Sequence, residues 1–233
     1  GHSSMPPRNN AVSDLAKAIT KLQDNPVPGG LSGLSTQMFD NVSRYMPFTM
    51  RGLFANQWLF GPIIDQQLSA STTTNAMLRT TTAPTMLSGS VKTNVLPIEA
   101  IATVNFRIHP RDNMQSIENY VTQLVASDTI SVRRRGGINA SAVSDWQASG
   151  YAAIAQSMRE VYGNIAVAPG LMIAGSDSKH YGQVADNAYR FNPFILTSQD
   201  LTGFHGTNEK ISVQNFAQGV RGYIQVIRNG SRR

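Results

Sequence analysis

The sequence predicts a mixed α/β chain in two parts: a ferredoxin-like α+β layer, then a segment in which helices and strands alternate. Three observations carry this reading. Residues 99–109 alternate between apolar and polar side chains, as a half-buried strand does. Amphipathic helices at 10–23 and 113–126 bracket that region with the 3.6-residue period. Past a loop at 136–149 the pattern becomes helix, strand, strand, helix.

In chain order, Val12, Leu15, Ala16, Ile19 and Leu22 share one face of the first helix. Asn9 or Asn10 can cap it, and Asn25-Pro26 stops it. Pro26 to Gly33 is a Pro/Gly loop. Ser35 to Ser69 is helical and rich in Met and aromatic residues, among them Met38, Tyr45, Met46, Phe54, Trp58 and Phe60. That stretch reads either as packing or as a greasy surface beside a substrate channel. Met77 to Met86 and Ser88 to Asn94 read as paired strands. In the strand from Glu99 to His109, Ala100, Ala102, Val104, Phe106 and Ile108 form the apolar face. Pro110-Arg111-Asp112 turns the chain into the second helix, with Ile117, Tyr120, Val121, Leu124 and Val125 inward. Ile130 to Arg135 is a further strand. The order helix, strand, strand, helix, strand is a split βαβ sandwich lacking its first strand. That strand would lie just upstream of Gly1, so the chain is expected to begin inside a domain.

The second part, 137–233, has a helix from Gly150 to Tyr162, strands at Val167–Ile173 and Tyr189–Thr197, and a closing helix at Ser212–Arg228. Phe216, Val220, Tyr223, Ile224 and Ile227 are its expected inward face. So few strands make a poor independent domain.

Composition excludes several functions. The 233 residues are 41% hydrophobic, enough for a core, and contain no cysteine. Thiolate catalysis, disulfides and Cys-type zinc sites are therefore out. No apolar run approaches the length of a membrane span. The net charge of +6 comes from scattered basic residues, with one run at Arg133, Arg134 and Arg135 that reads as a solvated strand end. No aromatic-interleaved patch accompanies them, so nucleic acid is not an expected partner. Asn-x-Ser/Thr triplets at Asn41, Asn139 and Asn229 are at chance frequency and set no compartment.

The histidines are His2, His109, His180 and His205. None is paired at i,i+4, and neither a His-Glu-x-x-His motif nor a Gly-x-Ser-x-Gly elbow occurs. His205 sits in a loop before a helix, where an imidazole can reach a metal. His2, in Gly1-His2-Ser3-Ser4-Met5, reads by itself as easily as an expression-tag scar.

Five motifs change the balance. They are Gly1-His2-Ser3-Ser4-Met5-Pro6-Pro7, Thr93-Asn94-Val95-Leu96-Pro97 and Ala102-Thr103-Val104-Asn105-Phe106-Arg107-Ile108-His109-Pro110. Gly175-Ser176-Asp177-Ser178-Lys179-His180-Tyr181 and His205-Gly206-Thr207-Asn208-Glu209-Lys210-Ile211-Ser212-Val213 complete the set. In order and spacing they resemble the aminoacylase/carboxypeptidase S family of zinc-dependent exopeptidases. The resemblance is nearest to the carboxypeptidase S and N-fatty-acyl-amino-acid synthase/hydrolase branch. The helical insertion at about 26–83 and Asn75-Ala76-Met77-Leu78-Arg79-Thr80-Thr81-Thr82 also look like that branch.

The resemblance implies a dimerisation lid over 1–136 and the C-terminal segment of a catalytic domain over 137–233. It implies a homodimer formed through the lid, and two zinc ions in the intact enzyme. The family's His-x-Asp motif, Glu-Glu pair and further acidic ligand precede the lid, so this chain is expected to hold no zinc and to be inactive alone. His205 matches the last metal ligand. His2 matches the lid histidine that steadies the oxyanion in the partner's site, which sets aside the tag reading. Asn94 and Arg107 match lid positions beside that site. Lys179 stands where an arginine usually binds the substrate carboxylate, keeping the charge and losing the bidentate fork. Asp177 and Glu209 match supporting hydrogen-bond positions. The implied substrate is an N-acyl amino acid or a peptide, split to release an amino acid. The alternatives are a peptide carboxypeptidase, or a non-catalytic dimerisation module.

Overall fold

Asn10 begins the first helix. Its side chain accepts the backbone N–H groups of Val12 and Ser13, each at 3.1 Å, and Ser13 returns the favour by accepting the Asn10 N–H at 3.0 Å. This reciprocal cap satisfies donors that a helix start leaves orphaned. Asn113 and Ser116 repeat the device before the second amphipathic helix. The computed structural model describes residues 1–204 and 206–231. Its helices are α1 (Ala11–Asp24), α2 (Leu34–Ser43), α3 (Phe48–Ala55), α4 (Gln57–Ser69), α5 (Thr72–Leu78), α6 (Met114–Val125), α7 (Ser149–Tyr162), α8 (Ser198–Gly203) and α9 (Val213–Gly230). A 3₁₀ turn spans Asp177–Gln183. The strands among the described residues are β1 (Thr81–Ser88) and β2 (Ile101–Arg107). The fold is thus mixed, many helices with one small antiparallel sheet.

The chain divides into two units, Gly1–Thr36 with Leu53–Ser141, and Gln37–Gly52 with Ala142–Arg233. In the first, β1 and β2 pair from Thr81↔Arg107 to Ser88↔Ile101. The register slips between Pro84 and Met86, where proline has no N–H to give the ladder. Ala102, Val104 and Phe106 turn inward, as the alternation predicts, while Asn105 and Arg107 face solvent. Val104 and Phe106 pack on the core of Leu22, Val27, Ile117 and Val121, contributed by α1, its following loop and α6. On α1 the inward face is Leu15, Ala18, Ile19 and Leu22; Val12 and Ala16, expected inside, are exposed.

A polar knot fastens the ends of the helical insertion. Arg111 donates to the Leu78 carbonyl at 2.5 Å, to the Ser32 hydroxyl at 2.9 Å and to the Gly30 carbonyl at 3.5 Å. Gly30 has φ +140°, a conformation that side chains rarely tolerate, and its N–H also reaches Leu78 at 3.1 Å. The Thr80 hydroxyl donates to Asp112 at 2.5 Å and accepts the His109 N–H at 2.9 Å. Thr80 is almost fully buried, so this relay satisfies groups that would otherwise be stranded.

Several expected strands are absent among the described residues, because extended sequence needs a partner ladder. β1 pairs with β2 and not with 88–94, which folds into a turn held by the Ser90 hydroxyl and Lys92. Residues 77 and 78 belong to α5. Segment 130–135 is anchored by side chains: Val132 enters the core, and Arg134 bonds Glu118 and Gln115 on α6. Segment 167–173 carries no ladder. Segment 189–197 is held by side chains as well. Asn215 accepts the Ile195 N–H at 2.9 Å and donates to its carbonyl at 2.7 Å, and Tyr162 bonds the Pro193 carbonyl.

In the second unit α7 packs against α9. Asn229 on α9 donates to Ser157 at 2.9 Å and to Glu160 at 2.8 Å, and Gln225 donates to Glu160 at 2.6 Å. The buried positions of α9 are Gly219 and Gly222. A Cβ at Gly219 would overlap the Phe194 ring, and one at Gly222 would stand 2.8 Å from Pro193. The face predicted to be inward is exposed, with Phe216 at 53% and Ile227 at 67%. The close approach across the two glycines sets which way α9 faces.

Two outcomes follow. Arg111→Ala strips three acceptors of a charged donor and should cost about 2 kcal/mol in urea unfolding, with Arg111→Lys intermediate. Gly219→Ala forces Phe194 aside and should cost about 1–3 kcal/mol, whereas Gly230→Ala, which meets nothing, should be near neutral.

Candidate functional site

Residues 1–3 run antiparallel to 94–96. The Ser3 N–H donates to the Asn94 carbonyl at 3.1 Å, the Leu96 N–H donates to the Gly1 carbonyl at 2.8 Å, and His2 bridges Val95. His2 and Asn94, far apart in sequence, are therefore neighbours. The chain then turns: the Met5 N–H donates back to the His2 carbonyl at 3.4 Å. The turn carries Ser4 onto the imidazole. The Ser4 N–H lies 3.2 Å from His2 Nδ1, and the Ser4 hydroxyl 2.8 Å from it. Nε2 has no hydrogen-bond partner among the described residues. Arg107 is exposed and pairs with Thr81, at the opposite end of the ladder from Ser88 and Ile101.

The other candidates lie in the second unit. Ser176 caps the 3₁₀ turn by accepting the Ser178 N–H at 3.3 Å, and the Ser176 and Ser178 hydroxyls meet at 2.6 Å. The turn presents Asp177 and Lys179 to solvent, with the Lys179 N–H bonded to the Ser176 carbonyl at 3.3 Å. The Lys179 ammonium is in no salt bridge among the described residues. Glu209 is exposed, its backbone beside Gly203. His205 lies outside the described residues.

Among the described residues no group of three or more His, Asp or Glu side chains could hold a metal ion. A catalytic zinc takes about three protein ligands, so these described residues do not fit the zinc that the resemblance implies. No helix among the described residues is long and apolar enough to cross a membrane.

Residues 1–132 match the family model of the peptidase dimerisation domain, and the chain belongs to that family. Similarity continues past the domain. "Probable carboxypeptidase S-like 2" of Dictyostelium discoideum is 37% identical over 230 residues, covering 98% of this chain and 44% of that protein. The N-fatty-acyl-amino acid synthase/hydrolase of Xenopus tropicalis is 36% identical over 231 residues, 98% of this chain and 45% of its own length. The human protein of the same name is 34% identical over 233 residues, 98% and 46%. The chain thus spans about half the length of the relatives it matches. No solved structure matches it.

Sequence reasoning passed over Ser4 and the knot around His109. The signal for Ser4 is short, a serine two residues after a histidine and before Met5-Pro6. His109 supports the knot. Its Nδ1 accepts the Arg111 backbone N–H at 3.1 Å. Burial first, then the Arg111 charge, holds its pKa below the ordinary 6.5, against opposing effects of Asp112 and Met77. The folded state thus binds this proton less readily than the unfolded chain. The stabilisation is complete above the unfolded value of 6.5 and is lost as pH falls through the depressed folded value. Thermal melts from about pH 8 down to about pH 5 should show this loss, and His109→Gln should flatten that part of the profile.

Proposed function

We propose that this chain supplies the dimerisation lid, residues 1–136, and a C-terminal catalytic-domain segment, residues 137–233, of an amide hydrolase. The substrate is an N-acyl amino acid or a peptide, cleaved to release a free amino acid. The observation that carries the reading is that similarity to the hydrolase and carboxypeptidase relatives covers 98% of the chain, well past the domain match at residue 132. The layering of α1 and α6 on the β1–β2 ladder supports a lid of the ferredoxin-like kind. Two lids pair into a homodimer, so that each carries residues to its partner's site.

In this reading His2 donates from its imidazole to the oxyanion that forms as the amide carbonyl is attacked. Asn94, which precedes the bridge partner Val95 and bonds the Ser3 N–H, and Arg107 on β2 complete the lid's share of the site. Lys179 binds the substrate carboxylate, with Asp177 and Glu209 as supporting partners, and His205 is the metal ligand the chain contributes. One imidazole is short of the ligands a catalytic zinc needs, so the 233-residue chain alone has no turnover. The relatives' names point to two substrate classes, N-fatty-acyl amino acids and carboxypeptidase substrates. A carboxylate-binding lysine serves both, because each substrate ends in a free carboxylate.

The test uses an active protein that carries this chain with a complete metal centre. Lys179→Ala should raise KM about 10- to 100-fold, the value of one charged hydrogen bond, and Lys179→Arg should leave it equal or lower. An unchanged KM in Lys179→Ala contradicts the assignment.

A further inference from the structure

We propose that Ser4 is the positioning residue for His2, and that it fixes the imidazole as the tautomer with its proton on Nε2. The inference rests on the oxyanion role given to His2 above, and adds the device that makes the ring competent for it. A neutral imidazole has one donor nitrogen and one acceptor nitrogen, and its surroundings decide which is which.

The decision lies in a backbone amide. The Ser4 N–H can only donate, and it lies 3.2 Å from Nδ1. A proton on Nδ1 would face that N–H head on. With Nδ1 bare, its lone pair receives both the Ser4 N–H and the Ser4 hydroxyl, which lies at 2.8 Å and can rotate to donate. The hydroxyl alone would leave the tautomer open, because it can equally accept from Nδ1–H; the amide closes that choice. The proton then sits on Nε2, the ring atom with no partner among the described residues and the one able to donate to an outside anion.

The hold is rigid because the backbone around it is fixed at both ends. His2 is bridged to Val95, and the Ser3 N–H is tied to the Asn94 carbonyl at 3.1 Å. The Met5 N–H closes the turn on the His2 carbonyl, and Pro6 and Pro7 restrict the chain beyond. The ring is thus oriented before any substrate arrives, which an oxyanion donor requires.

Nitrogen-15 NMR of the His2 ring reads the tautomer directly. Above the ring's titration range, the wild type should show a bare Nδ1 and a protonated Nε2. Ser4→Pro, which lacks the N–H, should show exchange between tautomers. Ser4→Ala, which keeps the N–H, should hold the Nε2–H form, and Ser4→Thr should match the wild type. The amide exchange of Leu96 reports whether the pairing of residues 1–3 with 94–96 survives each change. In the active protein, Ser4→Pro should lower kcat about 10- to 100-fold, the range seen when a partner orienting a histidine is lost, with KM within about twofold. A proton found on Nδ1 in the wild type overturns the proposal, as does an unchanged tautomer in Ser4→Pro. If the tautomer shifts as stated but His2→Ala keeps full kcat, the oxyanion role of His2 falls, and the positioning role falls with it.

Discussion

Apolar surface left uncovered is the constraint on which the rest depends. Trp58 on α4 is 82% exposed, and Phe216, Tyr223 and Ile227 along α9 are exposed as well. Phe194 stacks on Phe216 with ring centroids 6.0 Å apart, so the exposed side of α9 is an ordered aromatic surface. Uncovered patches of this kind mark interfaces. A chain that carries a dimerisation domain has a natural source of such cover in a second copy.

Inside the first unit, burial and polar satisfaction divide the work. The core of Leu22, Val27, Ile117 and Val121 is small, and a two-stranded sheet is weak alone. The knot of Thr80, His109, Arg111 and Asp112 compensates by clamping the ends of a long insertion to the turn before α6. The residues between β2 and α6 thereby act as scaffold. His109 is one of them: its Nδ1 serves the fold by accepting the Arg111 N–H, while His2 leaves Nε2 without a partner among the described residues.

Local signals in the sequence were reliable where the answer is local. Asn10, one of the two cap candidates, caps the first helix, and the alternation of β2 names its inward face. Signals failed where the answer depends on what lies opposite. The periodicity of α9 identifies an apolar face without saying what covers it. In this chain the packed side is the glycine side, chosen by Phe194, Pro193 and Met158. The segments 130–135 and 189–197 have strand-like composition, yet their backbone and side-chain needs are met by Glu118, Gln115 and Asn215. The motifs carrying the candidate site were legible as residues. Only the folded chain shows that His2 and Asn94 are neighbours, since the bridge joins positions more than ninety residues apart.

The central claim is that this chain is an assembly part whose lid pairs with a second copy. Sedimentation equilibrium over a wide concentration range tests it most directly. The account predicts reversible self-association to a dimer, weakened by a charged residue placed on the lid's exposed apolar surface, for example Leu87→Lys on β1. An ideal monomer at the highest concentrations, with one sharp cooperative unfolding transition, would contradict it.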